Sequence, residues 1–328
     1  MFQAILIEKT DDKSQSTLTQ LSEDQLPPGE VLIDVHYSSL NYKDGLAITG
    51  KGPIVRSFPM VPGIDFAGIV TDSSNADYVK GDKVLVNGWG FGEQAWGGLA
   101  QKARVDAKYL TRVPESLSLK DTMIIGTAGY TAMLCIIALE KNGVTPEKGQ
   151  ILVTGANGGV GSFAIALLAK LGYQVAAATG RPHEQDYLIT TLGANEIIDR
   201  TTLSEPGKPL QKARWAAAID SVGSYTLANV CASIIESGTV AACGMAQGMD
   251  FNASVAPFIL RNVTLAGINS VTRPAEERDV AWARLAQLVS RELLDAVSQE
   301  IPLENAIDAA ECLINGDIRG RVVVNLQE

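Results

Sequence analysis

The sequence predicts an α/β chain in two parts, an irregular β-rich domain and a doubly wound parallel-sheet domain, and three observations carry that prediction. At 328 residues the chain exceeds the length at which one hydrophobic core usually keeps growing. Its first third is written as short strand-like pieces broken by Gly, Pro, Asn and Asp, whereas after about residue 125 strands alternate with glycine turns and apolar-periodic helices. Within residues 151–170, ILVTGANGGVGSFAIALLAK, a β-rich run meets a glycine cluster that opens a helix, the setting a dinucleotide turn requires.

In order along the chain, AILI (4–7) reads as a strand, PPGE (27–30) as a turn, and VLIDVHYSSL as a strand whose early residues alternate apolar and polar. FAGIVTD (66–72) and KVLVNG (83–88) continue the β-rich part. Then come ILVTG (151–155), a helix at 159–171, YQVAAAT (173–179), a helix near 183–192, EIID (196–199), AAAID (216–220), a helix at 225–236 and TVAACG (239–244). Such alternation implies a parallel sheet covered by helices. VTLAGIN (263–269) adds a strand, helices follow at 276–292 and 303–314, and RVVVNL (321–326) is a last strand. The expected domains are 1–125 with 270–328, and 126–269.

Composition excludes several function classes. Lys plus Arg is 27 against 37 Asp plus Glu, a net charge of -10, which is no electrostatic footprint for nucleic acid or an anionic membrane. An anionic ligand must therefore be held by local groups. The opening MFQAILIEKTDD does not read as a signal peptide, and apolar runs such as 151–153 and 163–169 end well short of a membrane span. Cys135, Cys231, Cys243 and Cys312 form no CxxC pair and read as reduced thiols packed as small hydrophobes. A cytoplasmic protein without nucleic-acid or membrane partners is expected.

The glycine cluster reads Ala156-x-Gly158-x-x-Gly161, with Gly155 one place before the position where the first glycine usually stands. Gly158 lets the backbone approach a pyrophosphate, Gly161 lets helix and strand pack closely, and the helix N-terminus faces the negative charge. Asn157, Gly158, Gly159 and Val160 should line the phosphates. The following strand ends in Thr179-Gly180-Arg181, where an NAD enzyme usually carries an acidic residue for the ribose 2′-hydroxyl. A guanidinium there, helped by the Thr hydroxyl and the Gly amide, suits a 2′-phosphate, so NADPH is the expected cofactor.

Residues 61–68, VPGIDFAG, resemble the stretch that zinc alcohol dehydrogenases write with GHE, but Ile64 and Asp65 stand where that family has His and Glu. The chain has only His36 and His183, and no cysteine precedes Cys135, so no metal site is expected.

Taken together, SSLNYKDGLAITGKG (38–52), FPMVPGIDFAG (58–68), GWGFGEQAWGGLA (88–100), MIIGTAGYTAMLC (123–135), PFILRNVTLAG (257–267) and IRGRVVV (318–324) closely resemble the acrylyl-CoA reductase branch of the zinc-independent quinone oxidoreductases, within the medium-chain dehydrogenases/reductases. The resemblance spans the chain. It implies a GroES-like β-rich catalytic domain joined to a Rossmann domain, and NADPH-dependent reduction of an activated carbon-carbon double bond, with acryloyl-CoA becoming propionyl-CoA. A general NADPH quinone or α,β-enone reductase is the rival on the same scaffold, and a non-catalytic NADPH-binding protein is a third reading. A homodimer is expected, with the strand at 263–269 extending the sheet across a two-fold axis.

Carried onto matching positions, the resemblance makes Asn41, Asp44, Asp65 and Arg321 the polar cluster of the active site, with Tyr42 touching the nicotinamide end. The alternative for Asp44, Asp65 and Arg321 is an ion-pair network holding the walls of the site. Thr127 and Thr131 should stand near the nicotinamide; Thr179, Gly180, Arg181, Tyr187 and Arg200 should serve the 2′-phosphate and adenosine; Met245, Ile259 and Ser270 should lie against the cofactor. Ala156 in place of Gly, and Asn157 where relatives commonly carry Ser, are the two departures. Lys43, Lys51 and Arg56 either meet CoA phosphates or are solvated.

Overall fold

The computed structural model describes residues 1–11 and 13–327. The strands β1 (Phe2–Thr10) and β2 (Lys13–Leu21) form an antiparallel hairpin. They are followed by β3 (Val31–Leu40), α1 (Tyr42–Thr49), β4 (Asp65–Ser73), β5 (Lys83–Asn87), β6 (Lys102–Val105) and β7 (Thr111–Arg112). Next come α2 (Leu119–Lys141), β8 (Ile151–Val153), α3 (Gly159–Lys170), β9 (Val175–Thr179), β10 (Glu196–Asp199), β11 (Trp215–Asp220), α4 (Ser224–Ala232) and β12 (Ile234–Ala242). The chain ends with α5 (Ala256–Leu260), β13 (Thr264–Gly267), α6 (Ala275–Leu288), α7 (Arg291–Val297), β14 (Ser298–Pro302), α8 (Ala306–Asn315) and β15 (Arg321–Asn325).

Two units result. The first comprises Met1–Thr127, Val271–Ala286 and Val297–Glu328, and the second Ala128–Ser270 with Gln287–Ala296. The boundary therefore falls inside α2, after Thr127, and residues 287–296 group with the second unit although the sequence reading put all of 270–328 in the first.

In the first unit a mixed sheet runs β14-β15-β3-β4-β5-β7, with β6 also on β3. The alternation in β3 places Val31, Ile33 and Val35 in the core with Phe66, Val84, Val322 and Val324, while Leu32, Asp34 and His36 keep some exposure. In the second unit six parallel strands run β10-β9-β8-β11-β12-β13, the doubly wound order whose reversal lies between β8 and β11. The Thr154 hydroxyl joins the ends of those two strands by donating to Asp220 Oδ1 at 2.7 Å.

Several elements differ from the sequence reading. The segment expected as one helix near 183–192 is a 3-10 turn, Pro182–Glu184, followed by a π turn, Tyr187–Thr191. The helix expected at 225–236 stops at Ala232 because β12 already begins at Ile234. Residues 119–141 form the one helix among the described residues that is long and apolar enough to cross a membrane, contrary to the reading that no stretch is, but 83% of its most apolar window is buried in the fold. Of the four free thiols, Cys135 and Cys231 are buried as expected, whereas Cys243 is half-buried and Cys312 exposed.

Candidate active site

Asp65, the first residue of β4, is wholly buried and is the hub of the first unit's polar cluster. Its Oδ2 accepts from Ser39 Oγ at 2.9 Å, Asn41 Nδ2 at 2.8 Å and the Thr127 N–H at 2.8 Å. Its Oδ1 accepts from Asn87 Nδ2 at 2.8 Å and the Thr127 hydroxyl at 2.5 Å. Arg321, at the start of β15, brings Nη2 to 3.8 Å from Oδ2 and spends its remaining donors on Ile124 O, Leu40 O, Asn41 Oδ1 and Ser39 Oγ. Burial pulls the Arg321 guanidinium below its ordinary pKa, and the charges of Asp65 and then Asp44 oppose that shift.

Gly126 makes this arrangement possible. Its φ of 51° and ψ of -162° break α2, a conformation reserved for glycine, so that the next N–H turns to Asp65 instead of entering the helix ladder. A Cβ at 126 would run into the Arg321 guanidinium and stand 2.8 Å from Asp65 Oδ2.

Asp44 lies in the first turn of α1 and is also buried. Oδ2 accepts the Asn41 N–H at 2.9 Å and Asn41 Nδ2 at 3.2 Å, while Oδ1 accepts the N–H groups of Gly63 at 3.2 Å and Ile64 at 2.9 Å. Burial, the largest influence, pushes its carboxyl up to about 6, with repulsion from Asp65 adding to the rise and the hydrogen bonds from Asn41 and Ile64 opposing it. Asn41 spends both amide hydrogens on the two carboxylates and accepts from Arg321 through its oxygen. Tyr42 is the exception in this cluster, with 47% of its surface exposed.

Ser39 and Asn87 belong to the cluster too, and nothing in their strand-like surroundings marks them in the sequence. The basic residues suggested for a CoA carrier each have a carboxylate: Lys43 and Arg56 lie 3.1 and 3.8 Å from Glu93, and Lys51 2.7 Å from Glu311.

In the second unit Gly158 is exposed, and Gly159 and Val160 open α3 with helical N–H groups that lack intrahelical acceptors. A Cβ on Gly161 would strike the Gly155 carbonyl and come within 2.7 Å of Ala156 Cα, so strand and helix meet only because that position is glycine. At the end of β9 the Thr179 hydroxyl donates to Asn157 Oδ1 and accepts the Arg181 N–H at 2.9 Å. Arg200 lays its guanidinium against Gly180, where a Cβ would come within 2.7 Å of Arg200 Cζ, and that guanidinium has no hydrogen-bond or ion-pair partner among the described residues. Glu184, which sequence reasoning missed, accepts from Asn157 Nδ2 at 2.6 Å and lies 3.5 Å from Arg181 Nη1.

The other cofactor candidates are dispersed. Tyr187 is buried and its hydroxyl donates to Ser162 Oγ at 2.9 Å, bracing the first turns of α3. Thr131 is buried within α2, Ser270 is half-buried, and Met245 and Ile259 are 60% and 73% exposed.

These residues fit an NADP nucleotide: a cradle closed by Gly161, N–H groups at a helix start, and two guanidiniums and a hydroxyl at the end of β9. They do not fit zinc. Asp65, in the position of a zinc ligand, has both oxygens committed to five donors, and no group of three or more His, Cys, Asp or Glu suited to a metal occurs among the described residues.

A β-rich domain followed by a doubly wound nucleotide domain is the build of a medium-chain dehydrogenase/reductase. Residues 27–115 match the family model described as alcohol dehydrogenase GroES-like domain, and 159–287 that described as zinc-binding dehydrogenase. The chain is 51% identical over 324 residues to the protein named "Probable acrylyl-CoA reductase AcuI" of Escherichia coli, covering 99% of each. It is 47% identical over 329 residues to "Acrylyl-CoA reductase AcuI" of Ruegeria pomeroyi, again covering 99% of each. The crystal structure of the yhdH oxidoreductase from Salmonella enterica in complex with NADP matches it with a TM-score of 0.97 at 50% identity, over 99% of this chain and 100% of that one. The chain belongs to the acrylyl-CoA reductase family of the medium-chain dehydrogenases/reductases.

Proposed function

We propose that this protein is a zinc-independent, NADPH-dependent reductase that converts acryloyl-CoA to propionyl-CoA. The observation that carries the reading is the full-length likeness to relatives of that name, and the donor set at the end of β9 supports the choice of NADPH.

When bound, NADPH supplies a hydride. Addition of hydride to the β-carbon of a thioester-activated alkene develops negative charge on the thioester oxygen, so the protein must present a donor to that oxygen and an acid for the α-carbon. Tyr42 fills one of these needs best and water the other, because the Tyr42 hydroxyl belongs to an exposed side chain while the polar groups of Asn41, Asp44, Asp65 and Arg321 are buried and engaged. Those four are positioning residues: Asp65 and Arg321 hold Asn41, Asn41 and Asp44 set the first turn of α1, and that turn carries Tyr42. Thr127 is held by the same carboxylate beside the break in α2. In the nucleotide site the N–H groups at 159–160 bind pyrophosphate, and Thr179, Arg181 and Arg200 bind the 2′-phosphate. Met245 and Ile259 offer exposed apolar surface to the cofactor.

The substrate is a short enoyl-CoA. An acyl group of three carbons offers little apolar surface, so binding energy from the CoA carrier must orient the alkene. A cytoplasmic homodimer fits the four free thiols and β13, an edge strand of the six-stranded sheet with Ile259 and Leu260 exposed just before it.

Steady-state rates for a panel of enoyl-CoAs, quinones and enones with both nicotinamide cofactors test the reading. The highest kcat/KM is expected for acryloyl-CoA with NADPH. A quinone or long-chain enoyl-CoA that outperforms it overturns the substrate assignment and leaves the reductase reading standing.

A further inference from the structure

Arg181, assigned to the 2′-phosphate, and Asn157, in the glycine turn, already hold an anion of the protein itself. Glu184 Oε2 accepts from Asn157 Nδ2 at 2.6 Å, and Oε1 lies 3.5 Å from Arg181 Nη1. Its carboxylate is mostly shielded, with 17% of the side chain exposed, and it reaches Arg181 across a single 3-10 turn. We propose that Glu184 is a specificity-determining residue: its carboxylate, anchored by Asn157, is paired with Arg181 of the 2′-phosphate site and competes with the phosphate for that guanidinium. The proposal rests on the NADPH reading above.

Two consequences follow from charge. A 2′-phosphate must displace Glu184, because a carboxylate and a phosphate dianion within one donor set repel each other. A ribose 2′-hydroxyl is instead a donor that the same carboxylate accepts, so a nucleotide without the phosphate leaves Glu184 in place. Glu184 therefore narrows the preference for NADPH over NADH that the two arginines create. Arg200, whose guanidinium lies against Gly180 with no hydrogen-bond or ion-pair partner among the described residues, is the charge that carries the exchange toward the phosphate. The opposite role for Glu184 is bracing Arg181 in the pose that grips the phosphate, and the two roles predict opposite signs.

Calorimetric titration of the full-length protein with 2′,5′-ADP and with 5′-ADP separates them, using Glu184→Gln, Glu184→Ala and Arg181→Ala, each checked by thermal melting. Competition predicts that both Glu184 variants bind 2′,5′-ADP about fivefold more tightly than the wild type, with 5′-ADP unchanged or weaker. Unchanged or weaker binding of 2′,5′-ADP in both variants overturns the proposal. Arg181→Ala reports on the underlying reading: loss of discrimination between the two nucleotides upholds it, and full retention removes the phosphate site and this proposal with it.

Discussion

Thr127 gives Asp65 both of its donors, the backbone N–H at 2.8 Å to one carboxylate oxygen and the hydroxyl at 2.5 Å to the other. A residue just past a helix break is thereby locked to the start of a strand 62 positions earlier. Three further donors and the Arg321 guanidinium complete the shell, so the carboxylate is costly to alter. Asp65→Asn puts an NH2 group among donors and leaves Arg321 buried without its counter-ion, and it should destabilise the fold by about 3 to 5 kcal/mol. Urea denaturation measures this, and a loss below 1 kcal/mol would contradict the structural role.

Gly126→Ala should also be severe. The left-handed φ of 51° is unfavourable for alanine, and its Cβ enters the space of Arg321. A loss of about 2 kcal/mol or more is expected, with a fall in kcat as Thr127 moves off Asp65. Thermal melts and single-turnover rates check the two effects separately.

Asp44 makes stability depend on pH. Its carboxyl rises from 3.8 to about 6 on folding, so between those values the folded chain holds a proton that the unfolded chain has released. Stability therefore falls as pH rises through this window, by an amount on the order of 3 kcal/mol that is fully incurred above the folded pKa and absent below the unfolded one. Asp44→Asn removes the ionisation. The difference in stability between wild type and variant, measured by denaturation at about pH 4.5 and about pH 7, should shift against the wild type at the higher pH. A constant difference would refute the titration.

Arg181→Ala should raise KM for NADPH about tenfold and leave NADH kinetics nearly unaltered, since of the two cofactors only NADPH carries a 2′-phosphate for the guanidinium to engage. Wild-type kcat/KM values that are equal for the two cofactors would defeat the assignment.

Activity should survive exhaustive chelation, and elemental analysis should find no stoichiometric zinc, because Asp65 has no lone pair to spare for a metal and Ile64 supplies no ligand. Activity lost to a chelator and restored by zinc would reverse this conclusion.

The nucleotide domain was legible in the sequence because its signals are local. A strand, a glycine cluster and an apolar helix occur within 20 consecutive residues, and each glycine answers to one backbone requirement met by its immediate neighbours. Replacement of a metal-ligand pair by Ile64 and Asp65 is equally readable, since ligand identity is a property of the residue. The chain's likeness to its family was legible for the same reason, in motifs of a dozen residues.

Only the tertiary structure decided which partners the polar residues have. Asp44, Asp65 and Arg321 read in the sequence either as active-site groups or as an ion-pair network, and what bears on the choice, as at Asp65, is a set of donors from β3, β5, α2 and β15 that no spacing rule brings together. The break at Gly126 was hidden in an apolar run whose composition favours a continuous helix. Glu184 stood three residues from Arg181 and read as part of a helix. Its place in the anion site follows from the 3-10 turn and from Asn157, 27 positions away. Local backbone chemistry is written in neighbouring residues, whereas the occupancy of a buried donor or acceptor is a sum over partners that only folding collects.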